Sequence, residues 1–457
     1  MIHISTSFAL LVVAIIILVC IAGSRLSGRL GVPTLFIFIM LGMLFGSDGI
    51  FKIPFGNFAL AEQVCSVALI FIMFYGGFGT RWSEAKPVAG RSILLSSVGV
   101  VLTALLTGLF CHLVLKMALM EGMLLGAVLG STDAASVFSI LRSRKLNLKY
   151  GTASMLELES GSNDPFAYMM TVILLSAMTG SVSGGSAVLL LIRQLAFGLL
   201  TGAAVAWLVT WLLKRYAFYG EGFDTIFVFA AAIISYAFAS QIGGNGYLSV
   251  YLTGIILGNQ ELKNQKALVG FFDAFTGMMQ MLLFFLLGLL AFPSQMPSIV
   301  LPAIAIALFL TFVARPAAVG LLLAPSKPPI GQYLVISWAG LRGAASIVFA
   351  IMATLSEGYM KYDIFHIVFC VVLFSIIFQG SLLPKVAEKC DMIDNSTDVM
   401  RTFSDYTGDM QIQFVQLPIG DNHPWKNRKI CEIEMLPGML ITVIRRGAQT
   451  IVPKGRL

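Results

Sequence analysis

The chain has 457 residues, 58% of them hydrophobic and only 12% charged, with a formal net charge of +7. Soluble domains carry about 25% charged residues, so this composition excludes them and points to a membrane protein. The six cysteines (Cys20, Cys65, Cys111, Cys370, Cys390, Cys431) are far apart with no CxxC spacing, which excludes a disulfide or metal framework and reads as small buried hydrophobes.

Apolar runs long enough to cross about 30 Å of hydrocarbon follow one another along the chain, divided by polar or Gly/Pro breaks. The first covers about 6–24; it has no basic segment before it and no small-residue cleavage site, so it reads as a retained helix, not a signal peptide. Then come 32–47, 58–79, 91–115, 120–141, 152–179 and 187–213. The remaining six cover 223–241, 246–259, 268–292, 298–324, 331–355 and 363–384, which makes thirteen spans. Loops after odd-numbered spans hold sixteen basic residues, among them Arg81, Arg142, Lys145, Lys214 and Lys385, whereas loops after even-numbered spans hold only Lys52, Lys116 and Lys361. Basic residues stay cytoplasmic, so the N-terminus is expected outside and the C-terminus inside. The positive net charge follows from this asymmetry and calls for no nucleic-acid partner.

Two segments echo each other. Ala134-Ala135-Ser136, after Gly130-Ser131-Thr132-Asp133, matches Ala344-Ala345-Ser346, after Gly340-Leu341-Arg342-Gly343, at an offset of 210 residues. The same offset brings spans two to six near the starts of spans nine to thirteen. Matched spans are an odd number apart, so the two copies run oppositely through the bilayer, a transporter architecture with broken helices at mid-membrane. Spans five and twelve are the expected sites of breakage, and unwound backbone there must be buried in protein or line a cavity.

An ionisable group at membrane depth costs about 2.5–3.5 kcal/mol on insertion scales, so each one is informative. Span five holds Thr132 and Asp133; span six holds Glu157, Glu159, Ser160, Asn163 and Asp164; span twelve holds Arg342. Ser160 and Asp164 share a helix face, as do Glu159 and Asn163 one step around. The Asn163 amide can hold Glu159 in place without adding charge. Pro165 releases the carbonyl of Gly161 toward the same region. Carboxylate, hydroxyl and carbonyl oxygens together suit a hard monovalent cation. Asp164 is the expected shared carboxylate, holding a proton or a cation in turn. Arg342 is expected to neutralise helix ends or Glu159. Arg315 can pair with a core acid or snorkel outward, and Arg193 is expected to snorkel. Glu157 is either an inner-funnel acid or a solvated entrance residue.

At Glu159-Ser160-Gly161-Ser162-Asn163-Asp164-Pro165 the chain resembles the NhaP-type monovalent cation:proton antiporters. Gly130-Ser131-Thr132-Asp133 and Gly340-Leu341-Arg342-Gly343 resemble two further motifs of that family. The resemblance implies an all-α polytopic membrane protein of thirteen transmembrane helices, with an inverted-topology repeat and broken crossing helices, working as a homodimer by alternating access. It places Asp164, Asp133, Thr132 and Ser160 around the cation, with Glu159, Asn163 and Arg342 in support. The Asn163-Asp164 pair resembles the electroneutral branch. Gly161 and Ser162 stand where many relatives have bulkier residues, so cation preference does not carry over from sodium-selective members.

Three regions are expected: 1–390 as the membrane domain, 391–402 as a linker and 403–457 as a small α/β cytoplasmic tail. In the tail, Met410–Val415 and Met439–Ile444 alternate like strands. It resembles the C-terminal subdomain of regulators of potassium conductance, in partial form, so the expectation is of a longer protein. Such a tail on such a transporter favours potassium, with sodium and rubidium as further candidates, a nucleotide or other small ligand at the tail, and a place in the cell inner membrane. A cation channel and an organic-substrate carrier remain as alternatives; the site lacks the apolar and aromatic lining of the latter. No P-loop, GxSxG or metal-ligand set marks an enzyme, and no cofactor is expected.

Overall fold

The computed structural model describes residues 6–30, 33–143, 146–181, 184–215, 222–262, 264–356, 358, 360–394, 419, 423, 425, 444–446 and 449–451. The chain divides into two compact units, Met1–Gly408 and Asp409–Leu457.

The first unit is helical. In chain order its helices are α1 (Thr6–Leu30), α2 (Thr34–Phe45), α3 (Phe58–Gly79), α4 (Ala89–Leu113), α5 (Leu119–Val128), α6 (Ala134–Ser143), α7 (Thr152–Met178) and α8 (Gly184–Arg215). There follow α9 (Phe223–Gln241), α10 (Gly246–Gly258), α11 (Gln265–Leu290), α12 (Pro293–Ser326), α13 (Ile330–Trp338), α14 (Ala344–Leu355) and α15 (Ile364–Lys389). Among the described residues, seven of them (α3, α4, α8, α9, α11, α12 and α15) are long and apolar enough to cross a membrane. Helix α7 is as long, at 27 residues, but its acids and amide remove it from that set. Helices α5 and α14 fall short because the backbone is interrupted beside them.

Side chains start several of these helices. Asn57 accepts from Leu60 N at 3.0 Å before α3, Asn245 from Leu248 N at 3.0 Å before α10, and Asp363 from His366 N at 3.1 Å before α15. Each satisfies an N–H that the helix itself leaves unpaired, which matters most where water is scarce. Widened π turns occur at Leu95–Gly99 in α4, Leu310–Ala314 in α12 and Ser375–Gly380 in α15. Such turns tend to mark functional stretches. Arg193 is exposed and donates to the Ile242 carbonyl at 2.9 Å, at the end of α9.

Small residues set how closely the helices approach. Gly254 and Gly258, one turn apart on α10, lie directly against the backbone of Phe74 and Phe78 in α3. This is the small-residue packing that lets helices associate where lipid supplies no hydrophobic drive.

In the second unit, β1 (Ile444–Arg446) and β2 (Gln449–Ile451) pair antiparallel, with Ile444 opposite Ile451. The expected strand at 410–415 lies outside the described residues, as does that at 439–444 except for Ile444, which opens β1. Of the expected linker 391–402, only 391–394 are described; Leu148 and Ile393 form an antiparallel bridge there.

A methyl group on Gly258 would stand 2.9 Å from Phe78 Cα and closer still to its carbonyl. Gly258→Leu is therefore expected to force α10 off α3, costing about 1–3 kcal/mol and lowering the melting temperature in detergent by several degrees. An unchanged melting curve would show that this contact does not hold the helices together.

Candidate functional site

Two interrupted helices meet inside the first unit. The chain leaves helical geometry after Val128 and resumes at Ala134, and it does so again between Trp338 and Ala344. Each interruption exposes peptide groups that need partners, and each supplies some to the other. Asp133 N donates to Leu341 O at 2.8 Å, and Arg342 Nη1 donates to Ser131 O at 3.0 Å. Gly343 is required at the crossing, because a Cβ there would lie 2.6 Å from Asp133 Cγ. Ser375 and Gln379, on the widened turn of α15, complete the crossing: Ser375 Oγ accepts from Arg342 N at 3.0 Å and donates to Gln379 Oε1 at 2.5 Å.

Helix α7 lies beside the first interruption and faces it with its polar residues. Asn163 Nδ2 donates to Thr132 Oγ1 at 2.5 Å, and Asn163 Oδ1 accepts from Thr132 N at 3.3 Å. Ser160 Oγ donates to the Thr132 carbonyl at 2.5 Å. Thr132, Ser160 and Asn163 are all buried. Asp164, half-buried, accepts a hydrogen bond from Ser131 Oγ. Asp133 lies within electrostatic reach of Asp164, while its two carboxyl oxygens accept from Ser136 N at 3.3 Å and Ser136 Oγ at 2.5 Å. Asp133 thus caps α6, where a negative charge is favoured by the helix dipole.

The charge on Glu159 is answered elsewhere. Arg315, immediately after the widened turn of α12, donates Nη1 to Glu159 Oε1 at 2.5 Å and Nη2 to Glu159 Oε2 at 2.9 Å. Both side chains are almost fully buried, at 6% and 2% exposed. A two-pronged pair of this kind is the geometry in which a buried ion pair offsets its own desolvation.

Four of the residues singled out from sequence, Thr132, Ser160, Asn163 and Asp164, come together here, with Asp133 at the edge of the group. One expectation needs correction: the Asn163 amide holds Thr132, not Glu159, because the interrupted backbone at Thr132 needs a donor and an acceptor at once. Of the two roles expected of Arg342 it takes the helix end, at the Ser131 carbonyl, and of the two expected of Arg315 it takes the core acid, Glu159. Helix α7 is continuous through Pro165, from Thr152 to Met178, and the Tyr251 ring lies against Gly161. The sequence marks Ser131 only as part of a motif, and the reading of the spans leaves out Glu62 and Glu121. Glu121 is buried, and its Oε1 accepts from Lys361 N. The signal for Glu62 and Glu121 was an acid within the first turns of an apolar span.

Interrupted helices crossing around buried carboxylates, within an apolar helical body, define a multi-pass membrane transport protein. The sodium/hydrogen exchanger transmembrane family matches residues 14–389, and the chain belongs to that family. It is 36% identical over 382 residues to the K(+)/H(+) antiporter NhaP of Alkalimonas amylolytica, covering 83% of this chain and 66% of that protein. The K(+)/H(+) antiporter NhaP2 of Shewanella oneidensis is 36% identical over 383 residues, with 82% and 66% covered. The chain therefore spans just under two thirds of the length of these curated relatives. The solved sodium proton antiporter MjNhaP1 of Methanocaldococcus jannaschii superposes with a TM-score of 0.73 at 23% identity, over 84% of this chain and 99% of that one. This last likeness is one of fold.

Truncating either partner of the Glu159–Arg315 pair leaves the other as an uncompensated buried charge, at a cost of about 3–5 kcal/mol. Glu159→Gln and Arg315→Ala should each lower the melting temperature in detergent by several degrees, and the double variant should lose less than the sum. Additive losses in that cycle would mean that the two side chains do not stabilise one another.

Proposed function

We propose that the chain is a secondary active antiporter that exchanges potassium for protons around Asp164, one for one. The observation that carries this reading is the charge balance of the crossing. Three acids (Asp133, Glu159 and Asp164) face two guanidiniums (Arg315 and Arg342), which leaves one negative charge when all are ionised. A single proton or a single monovalent cation cancels it, so the two substrates compete for one place. Thr132, Ser160 and Asp133 would supply further oxygens to the cation; Glu159, Asn163 and Arg342 would keep the place in shape. The 36% identical relatives named as K(+)/H(+) antiporters support potassium, with rubidium its nearest substitute in size. Sodium/proton exchange is the second reading, favoured by the fold shared with a sodium proton antiporter.

The same proposal includes thirteen crossings with an inverted repeat, a homodimer, and the inner membrane of the cell with the N-terminus outside. It also includes a membrane domain over 1–390, a linker over 391–402 and a regulator-of-potassium-conductance-like tail over 403–457 that takes a nucleotide or other small ligand. The measurement that tests the substrate is proton flux in proteoliposomes on adding potassium, sodium, lithium or rubidium in turn. Flux with sodium or lithium alone would turn the reading to sodium/proton exchange.

A neutral amide cannot alternate between a proton and a cation. Asp164→Asn should abolish exchange, to below about a hundredth of the original rate, while the protein still inserts and melts normally. Residual flux near the original rate would remove Asp164 from its role.

Exchange of one charge for one charge moves no net current. A potassium jump on a solid-supported membrane, without ionophore, should give no sustained current. A sustained current that vanishes in Asp164→Asn would show that a second proton moves.

A further inference from the structure

Helix α10 packs on α7 at residues that bracket Asp164 in sequence: Gly161, Pro165, whose carbonyl accepts from Asn245 Nδ2 at 2.9 Å, and Tyr168. Two of its tyrosines, Tyr247 and Tyr251, are one turn apart and are only 2% and 3% exposed. The Tyr251 ring lies against Gly161, where a Cβ would stand 2.5 Å from its hydroxyl. Its hydroxyl is buried and makes no hydrogen bond of good geometry among the described residues, although the Ser162 and Thr80 hydroxyls adjoin it and Glu157 and Asp164 are within electrostatic reach. A buried hydroxyl left without a partner is costly, so its presence calls for an explanation. The Tyr247 ring packs edge-on against Tyr168 of α7 at 5.1 Å and tilted against Tyr236 of α9 at 5.0 Å. Ser66 adjoins its hydroxyl, and Ser66 Oγ donates in turn to the half-buried Glu62 at 2.8 Å.

Along α7, Asp164 lies about 4.5 Å beyond Gly161 and about 6 Å short of Tyr168, at 1.5 Å per residue. The two tyrosines therefore close the α7–α10 seam on opposite sides of Asp164. Each has an acid and a hydroxyl on its outer flank: Glu157 and Thr80 beyond Tyr251, and Glu62 and Ser66 beyond Tyr247. We propose that Tyr247 and Tyr251 are the two gates of the seam, and that each hydroxyl lends an oxygen to the dehydrated cation as it passes between its flanking acid and Asp164. The inference rests on Asp164 as the exchanging carboxylate. A hydroxyl oxygen on a hinged aromatic ring is a ligand suited to a large, weakly hydrated monovalent cation. With only loosely aligned neighbours in Ser162 and Thr80, the Tyr251 hydroxyl can turn its oxygen to a passing ion, and Gly161 is the flat seat against which the ring lies.

Two measurements on the full reconstituted chain test this. Tyr247→Phe and Tyr251→Phe keep the rings and remove the hydroxyls. Each should raise the KM for the cation at least fivefold while kcat stays within about twofold; unchanged KM in both overturns the hydroxyl role. In the second, Ser162→Cys, which lies between the two rings along α7, is labelled with a membrane-impermeant thiol reagent, read at that residue by peptide mass. Adding Tyr251→Ala or Tyr247→Ala should in each case speed labelling at least tenfold. Labelling rates that do not change overturn the gates. This readout needs no transport, so a wild-type chain without cation/proton flux would overturn the proposed function while the labelling still decides the gates.

Discussion

Charge inside hydrocarbon has to be compensated where it stands, because neither water nor lipid can do so. In this protein the two-pronged Glu159–Arg315 pair is where that constraint is met most completely. It links α7 to α12, and it removes from the account the strongest acid-base pair near the site. Had Glu159 stood alone, Arg342 would have been drawn to it. With Glu159 held by Arg315, Arg342 is available to the Ser131 carbonyl, and the two interruptions can cross with their helix ends supplied. The position of Asp164 follows in turn, since Ser131 is the residue that donates to it.

The interruptions themselves follow from local chemistry. Gly130-Ser131-Thr132-Asp133 is a run of poor helix formers, Gly340 and Gly343 weaken the second segment on either side of Leu341-Arg342, and Asp133 begins a new helix by capping it. Two short helices ending near one another leave unpaired N–H and C=O groups at the same depth. A crossing in which each break serves the other is the economical solution, and the hydrogen bonds from Asp133 N to Leu341 O and from Arg342 to Ser131 O are of this kind. The widened turns in α12 and α15 come just before Arg315 and at Ser375, the two points where those helices contribute to the crossing.

Much of this was legible in the chain. Hydropathy placed α3 and α9 to the residue, at Phe58–Gly79 and Phe223–Gln241, because a long apolar run with capped ends has few alternatives in a bilayer. The breaks in spans five and twelve were legible too, from polar residues in mid-span, with Gly340 and Gly343 around Arg342 in the second; the similar run Ser160-Gly161-Ser162 leaves α7 continuous. Partner choice was not. Asn163 had Glu159 one turn away in sequence and Thr132 across a gap of 31 residues; the tertiary partner won because an interrupted backbone has greater need than a carboxylate already paired. Arg315 and Glu159 are 156 residues apart, and nothing in their local sequence reports that separation closing. Ser131 was read as part of a motif, and its donation to Asp164 depends on how the break turns its side chain.

The charge balance also bears on why a site of this kind would exchange and not conduct. With a proton or a cation bound, the crossing is neutral, and either loaded form can change its exposure without moving charge through a low dielectric. Unloaded, the same elements would carry one uncompensated negative charge through that medium. The cost is several kcal/mol per buried ion, and each 1.4 kcal/mol slows the step about tenfold. On the proposed exchange, the empty form would be held at the side where it released its ion until another ion or a proton arrived. On this argument coupling would need no separate device: it would follow from a crossing whose acids outnumber its guanidiniums by one.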